Sequence, residues 1–430
     1  MSTTKDFQVT IIGGGVCGLA CAIALQKAGL SVDLFEAAGA FGEIGAGIGL
    51  GSNAIHALKA MGLFDAVLAK INPASFRLGV FCSIQALEPM NSSTKYAHPT
   101  IFVQRCSNPS YHYAVFLDAL VGLIDPKSVH FKKRCTSVAP SATDPDRVIV
   151  TFADGTSHET DLVLGADGVR SKVRDFVVGA SEPQRVVFSN AVAYRGLVPH
   201  AVLKQAGFKT TLTDRPACFI GPDRHMIVTP LKNGELVNVA AVTARYDVPM
   251  EAWAPDTPWT ADVPRAEVQE AYAAWGSDAL TLLACLPEKV LKFSMHVVHP
   301  PLESYARARV AILGDAAHGM LPHLGAGAGQ GIEDALLLFR LLTHAQTKKE
   351  NLPAVLTAYS HVRRPRSQDV WEGSKRAGMI YHLRGPSGAT HEGIRKDIVS
   401  GMWQTVWNYD IDSDIVRAVE HLQASGTFAA

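Results

Sequence analysis

Three consecutive glycines, Gly13 to Gly15, interrupt an uncharged run that extends from Phe7 to Gln26. An apolar segment of that length would suit a membrane span or a secretory leader, but glycines at its centre break a hydrophobic helix. Lys5 and Asp6 cancel, so the positive flank of a leader is missing. A strand, a turn and a helix fit instead. Phe7–Ile12 reads as a buried strand, Val16–Lys27 as the helix after it, and Ser31–Phe35 as a second strand. The turn Gly13-Gly14-Gly15-Val16-Cys17-Gly18 follows the G-x-G-x-x-G pattern. Gly13 permits the tight reversal, Gly15 lets backbone N–H groups approach a pyrophosphate, and Gly18 lets helix and strand pack closely. Val16 opens a helix whose N-terminus faces the anion. Glu36 ends the second strand, where a carboxylate accepts hydrogen bonds from a ribose diol and disfavours a 2′-phosphate. The unit points to a dinucleotide such as FAD or NAD.

The spacing recurs at Gly49-Leu50-Gly51-Ser52-Asn53-Ala54, but without a preceding strand or a following acid, and reads as loop. Two other junctions carry more. Asp161–Ala166 is a short apolar strand that ends in Asp167-Gly168 and feeds a helix with Ser171 as candidate cap. Arg309–Leu313 is a strand that delivers Asp315 to its C-terminal end, where ligands bind in α/β sheets. Asp315 suits the hydroxyls of a ribityl chain. The glycines that follow, Gly325, Gly327, Gly329 and Gly331, let backbone N–H groups lie against a flat ring at a helix N-terminus.

Between these junctions, residues 185 to 300 change texture: short β-rich runs separated by Gly, Pro and Asp suggest an antiparallel second lobe. Beyond Gly329 the pattern turns helical, and Ala354 to His382 reads as one long helix kinked or broken near Pro365. Lys plus Arg equals Asp plus Glu at 40 each, which gives no argument for a nucleic-acid partner. No other stretch is apolar for long enough to span a bilayer. Seven scattered cysteines, odd in number and without a CxxC pair, read as reduced thiols, with no structural metal site. The last residues carry no peroxisomal tripeptide, so a cytoplasmic location is expected.

In this order and at these separations, the three motifs resemble those of the group A flavoprotein aromatic hydroxylases. Closer features resemble the salicylate hydroxylase branch: Phe35-Glu36-Ala37-Ala38, the run from Phe41 to Ile48, Ala193-Tyr194-Arg195-Gly196, Met320-Leu321-Pro322-His323 and Trp407-Asn408-Tyr409-Asp410. The expected fold is α/β, a Rossmann-like FAD-binding domain (1–184 and 301–345) interleaved with a mostly antiparallel β-sheet substrate lobe (185–300) and followed by a helical C-terminal segment (346–430). The resemblance implies tightly but non-covalently bound FAD and NADH or NADPH as co-substrate. It also implies dioxygen and a small aromatic acid as reactants, with no nucleic-acid or membrane partner, and is compatible with a homodimer. By the same likeness Glu36 binds the adenosine ribose, Asp315 the ribityl chain, and Gly325, Gly327 and Ala328 the isoalloxazine. Ala37, Ala46 and Gly47 fall in motifs beside the cofactor, and Asp167 in one that serves both FAD and NAD(P)H. Where the family commonly carries an arginine that touches FAD, this chain has Tyr113, and Arg105 upstream is the candidate substitute.

The implied reaction reduces the flavin with NAD(P)H, forms a C4a-hydroperoxide with oxygen and hydroxylates an electron-rich ring. Salicylate, giving catechol and CO2, is the leading substrate. Alternatives are hydroxylation without decarboxylation, of another hydroxybenzoate or a hydroxynicotinate, and a flavin oxidase or reductase that inserts no oxygen. Ionising a phenol calls for a base or cation near its hydroxyl. His225 and His323 suit that role, with packed structural histidines as the alternative. Arg195 is the candidate cation for an anionic substrate, with a salt bridge to a neighbouring carboxylate as the alternative. His318 is expected to brace the loop after Asp315, and Arg363-Arg364-Pro365-Arg366 to form a solvated helix face packed on the flavin domain. Trp253, Trp259 and Trp275 are expected to be buried.

Overall fold

The computed structural model describes residues 5–42, 48–70, 77–79, 85–86, 100–103, 108–111, 113–179, 185–210, 212, 217–231, 234–252, 258–401 and 403–430. The expectations for Ala46, Gly47, Arg105 and Trp253 lie outside these residues.

A six-stranded sheet carries the first half of the architecture. Its order is Ala306–Arg307, Val310–Ile312, Leu162–Gly165, Gln8–Ile12, Ser31–Phe35 and Val129–His130. All neighbours are parallel except the hairpin at 306–312. Val9, Ile11, Ile12, Leu162, Val163, Leu164 and Val310 to Ile312 are all buried. Continuous apolar runs of this kind suit a parallel sheet covered on both faces. The register pairs Thr10 with Val163 and Val163 with Val310, so three distant segments meet in one row. Helix Val16–Lys27 packs on helix Gly327–Thr343. A Cβ on Gly331 would stand 2.1 Å from Cys17 Sγ, so only a hydrogen fits at this crossing.

The second sheet is antiparallel. It runs Thr260–Pro264, Lys289–Val298, Val186–Pro199, Leu236–Ala244, Arg224–Leu231 and Ala217–Gly221, then Thr100–Val103 and Gln85–Ala86. The last two strands come from earlier in the chain than the expected lobe. Alternation along the strands gives the sheet two faces. Tyr194, Phe219, Met226, Val239 and Ala241 pack with Val268, Tyr272 and Leu282 on one side. On the other, Ile220 packs with Leu324, Ala326, Ala377 and Ile380, which belong to the flavin-loop region and the long C-terminal helix. Trp275 is buried, whereas Trp259 is only partly so.

Two expectations are corrected and a third is narrowed. Gly49–Ala54 is not loop: helix Ser52–Ala60 begins there, and Gly51 is held as glycine because a Cβ would stand 2.5 Å from the Trp407 ring. Helix Leu352–Tyr381 runs on through Pro365 instead of breaking. Pro365 and His361, whose carbonyl loses its helix partner to the proline, both lie on the exposed side, so the loss falls where the chain faces solvent. Arg363 and Arg366 are not solvated. They are 0 % and 6 % exposed and pair with Glu333, Asp334 and Asp414. Among the described residues, no helix is long and apolar enough to cross a membrane.

Candidate active site

The C-terminal ends of the parallel strands set the first part of the site. Gly13 has φ +109°, and a Cβ there would stand 2.3 Å from the Ala166 carbonyl oxygen, so both backbone and space demand glycine. Gly18 is as tight, with a Cβ position 2.1 Å from Gly13 O, and seats the helix that Val16 opens against the turn. Gly15, by contrast, has nothing within 4 Å of its Cβ position and faces open space. The Glu36 carboxylate is pinned at the lip of this space. Oε2 accepts from Gly14 N at 2.7 Å and Oε1 from Ala38 N at 2.7 Å. The groove has a volume of about 920 Å³ and is lined by Gly13, Gly15, Glu36, Ala37, Asp167 and Arg170, among others. Asp167 Oδ2 accepts from Lys172 N at 2.7 Å and Val173 N at 3.3 Å, which caps the following helix, and Ser171 Oγ accepts from Arg174 N at 2.9 Å.

The neighbouring strand delivers the second part. Asp315 opens the short helix Asp315–His318; its side chain reaches open space although protein surrounds it closely, and that enclosure raises its pKa. A Cβ on Gly327 would lie 3.9 Å from Asp315 Oδ1, which places Asp315 beside the start of helix Gly327–Thr343. Gly325 has φ +61° and open space at its Cβ position, and Ala328 lies in the first turn of that helix. His318 does brace the loop: its Nε2 lies 2.6 Å from Asp334 Oδ2, which also accepts from Gly314 N at 2.9 Å. Arg363 Nε donates to Asp334 Oδ1 at 2.8 Å.

The third part is a histidine cluster between the antiparallel sheet and the long helix. His225 and His323 come together, with ring centroids 5.1 Å apart. Gly378 makes room for this: a Cβ there would stand 2.3 Å from the His323 ring. His225 Nδ1 lies 2.8 Å from Nε2 of His382, and Nδ1 of His382 lies 2.7 Å from the Tyr246 hydroxyl. Sequence reasoning missed both partners. The signal for His382 was its place at the end of the long helical pattern; nothing marked Tyr246. Arg195 shares the face of His225, because the register pairs His225 with Val242 and Val242 with Ala193, two residues from Arg195. Its guanidinium lies 5.3 Å from the Phe293 ring centroid. Among the described residues no carboxylate is within ion-pair distance of it.

Burial holds the histidines neutral. His323 is lowered to about 4, and His382 to about 3 by burial and then by His323 and Arg384. His225 lies well below the usual range, through burial, His382 and His323. Folded values below unfolded ones mean that the unfolded chain binds more protons as pH falls below about 6.5. Stability is therefore unaffected by these groups above that pH. It declines below it by up to about 1.4 kcal/mol per pH unit per histidine, until the folded pKa is reached. The urea midpoint is expected to fall between pH 6 and 5, and to fall less steeply in His382→Gln. Equal slopes would mean that His382 is protonated in the folded protein.

Glycine-opened backbone at two strand ends, with an acid beside each, defines a dinucleotide-binding protein. The comparisons agree. The FAD binding domain family model matches residues 6–374. A salicylate hydroxylase of Pseudomonas putida is 38% identical over 423 residues, covering 96% of this chain and 94% of its own length. A 6-methylsalicylate 1-monooxygenase of Aspergillus terreus is 32% identical, covering 97% and 93%. A solved salicylate hydroxylase substrate complex superposes with a TM-score of 0.80 at 28% identity, covering 96% and 98%. The chain belongs to the salicylate hydroxylase family of FAD-dependent aromatic monooxygenases.

Proposed function

We propose that the protein hydroxylates a 2-hydroxybenzoate of the salicylate class at the carboxylate-bearing carbon, releasing CO2 and a catechol, with NADH or NADPH as reductant. The observation that carries this reading is that His225 and Arg195 share one sheet face, against which His323, only two residues from Gly325 of the flavin loop, sets its ring 5.1 Å from that of His225. Relatives named for salicylate and 6-methylsalicylate support the substrate class.

FAD bound here would take up reducing equivalents and activate dioxygen. Glu36 and Ala37 would hold its adenosine ribose, Asp315 its ribityl chain, and the backbone at Gly325, Gly327 and Ala328 its ring. Arg195 binds the substrate carboxylate through its planar fork. His225 Nε2 accepts the proton of the neighbouring hydroxyl, which raises electron density on the ring carbon to be attacked. His323 sets the far wall of the pocket and, being neutral, can offer a second N–H or lone pair. Ile220, Leu324 and Ala326 keep the region apolar, which excludes water.

The test is a balance of products. With salicylate and NADH, the purified flavoprotein is expected to consume one NADH and one O2 for each catechol and CO2 formed. NADH oxidation that yields only hydrogen peroxide, with salicylate and every other hydroxybenzoate supplied, would end this reading. Glu36→Ala is expected to weaken FAD retention at least about tenfold, since the carboxylate both orders Gly14 and offers a charge-assisted partner to the ribose. Fluorescence titration of the apoprotein with FAD measures it; unchanged affinity would remove Glu36 from the ribose site.

A further inference from the structure

We infer that His225, His382 and Tyr246 form a proton exit that carries the substrate's hydroxyl proton from the buried pocket to solvent. The inference rests on the proposed role of His225 as proton acceptor. His225 alone would touch substrate, while His382 and Tyr246 act through it. The three groups stand in series, with 2.8 Å between His225 Nδ1 and His382 Nε2 and 2.7 Å between His382 Nδ1 and the Tyr246 hydroxyl. The two histidines are buried, 2 % exposed at His225 and 1 % at His382, and the series reaches the surface at Tyr246, which is 39 % exposed. Three separate elements supply them: strand Arg224–Leu231, the C-cap of helix Leu352–Tyr381, and the chain just past strand Leu236–Ala244.

A neutral imidazole has one N–H and one lone pair, so the series has two polarities. In the first, the Tyr246 hydroxyl donates to His382 Nδ1, His382 Nε2–H donates to His225 Nδ1, and His225 presents an N–H at Nε2. In the second every bond is reversed: His225 Nε2 accepts from the substrate hydroxyl, and Tyr246 donates to water. Passing from the second to the first moves four protons by one place each. The substrate O–H gives its proton to His225 Nε2, His225 Nδ1–H to His382 Nε2, His382 Nδ1–H to the tyrosine oxygen, and the tyrosine O–H to solvent. One proton leaves, both rings end neutral with their tautomers exchanged, and the phenolate is left facing an N–H donor.

The surroundings favour this over a lone base. A persistent imidazolium at His225 or His382 would sit in a buried site beside His323 and near Arg384, and burial together with these neighbours disfavours the charge. Tyr246 remains a hydroxyl at neutral pH, pushed up to about 12 by burial and then by Asp223, against the opposing pull of Arg384. Arg384 pairs with Asp223 and lies 4.8 Å from the Tyr246 ring centroid, which fixes the outer end. The Tyr381 ring, 5.3 Å from His225, completes the wall.

The experiment uses FAD-loaded enzyme without NADH, mixed in a stopped-flow instrument with 2-hydroxy-5-nitrobenzoate, whose phenolate absorbs visible light. A pH indicator in weak buffer records the released proton. In the unmodified enzyme the phenolate band and the proton are expected in one phase. Tyr246→Phe keeps the ring beside Arg384 and removes only the O–H. It is expected to slow that phase about tenfold or more, with FAD content and final amplitude preserved. His382→Gln keeps a hydrogen bond to His225 but cannot relay a proton, and is expected to slow it equally, the double variant being no slower than either. Unchanged rates in both single variants, or slowing that multiplies in the double variant, would overturn the exit. His225→Ala tests the underlying reading separately: it should lose the phenolate amplitude, and full amplitude there would remove His225 as acceptor whatever the outer variants do.

Discussion

His225→Ala is expected to lower coupled hydroxylation by about 10²- to 10⁴-fold, the usual worth of a positioned proton acceptor, while FAD content stays at the unmodified level. The separation follows from where the residue sits. His225 is on the antiparallel sheet, whereas the groove of Gly13 to Gly15, Glu36 and Asp167 is built on the parallel one. Its Nδ1 is engaged by His382, so Nε2 is the only polar atom it can turn to a substrate. The variant should therefore bind substrate and still oxidise NADH, with more of the oxygen appearing as hydrogen peroxide. Catechol yield per NADH and flavin absorbance measure the two halves of the prediction. Wild-type coupled turnover in this variant would return His225 to a packing role.

The second large effect concerns folding. Arg363→Met is expected to cost about 3–5 kcal/mol of stability, the penalty for leaving buried charge without its partner. Arg363 donates to Asp334 Oδ1 at 2.8 Å, Glu333 Oε2 at 2.8 Å, Asp414 Oδ2 at 3.3 Å and the Gln330 carbonyl at 3.3 Å, with none of its side chain exposed. Burial opposes its charge, but Glu333 and Asp334 outweigh that and hold the guanidinium protonated. Removing it takes a partner from three buried carboxylates at once and leaves Asp334 with no arginine, Glu333 with Arg366 alone and Asp414 with Arg417 and the Tyr409 hydroxyl, in a protein whose whole stability is about 5–15 kcal/mol. The urea midpoint should drop accordingly, and Asp334→Asn added to the same chain should recover part of the loss by removing the carboxylate left without an arginine. A midpoint within error of the unmodified protein would show that the carboxylates take up protons at little cost. Because Asp334 also holds His318 and Gly314, the flavin loop should loosen along with the core.

The cofactor half of the architecture was legible in the chain because its determinants are local. Gly13, Gly18 and Glu36 lie within one strand-turn-helix-strand unit, and each does there what its backbone or charge requires. The alternating β-rich runs after residue 185 also declared an antiparallel sheet. What stayed hidden was set by distant partners. Arg363 and Arg366 sit in a run of four that looks solvated until Glu333 and Asp334 are brought against it. Those two acids, adjacent within a mostly apolar helix, were the signal: charges so placed need buried partners. His382 and Tyr246 gave less warning, since they reach His225 from the end of one helix and from the chain after a strand. Pro365 left a break open as one outcome, for the opposite reason. Its usual effect as a helix breaker was cancelled by its outward position.

The parallel sheet has a consequence for how the chain comes into being. Strand Leu162–Gly165 lies between Gln8–Ile12 and Val310–Ile312, so one of its edges gains no partner until residue 310 has been synthesised. Throughout the making of the second lobe, a fully apolar ribbon waits with unpaired N–H and C=O groups along that side, the arrangement that invites pairing with other nascent copies. Heterologous production of this enzyme should therefore gain more from slowed translation and chaperone supply than from any change at the protein surface.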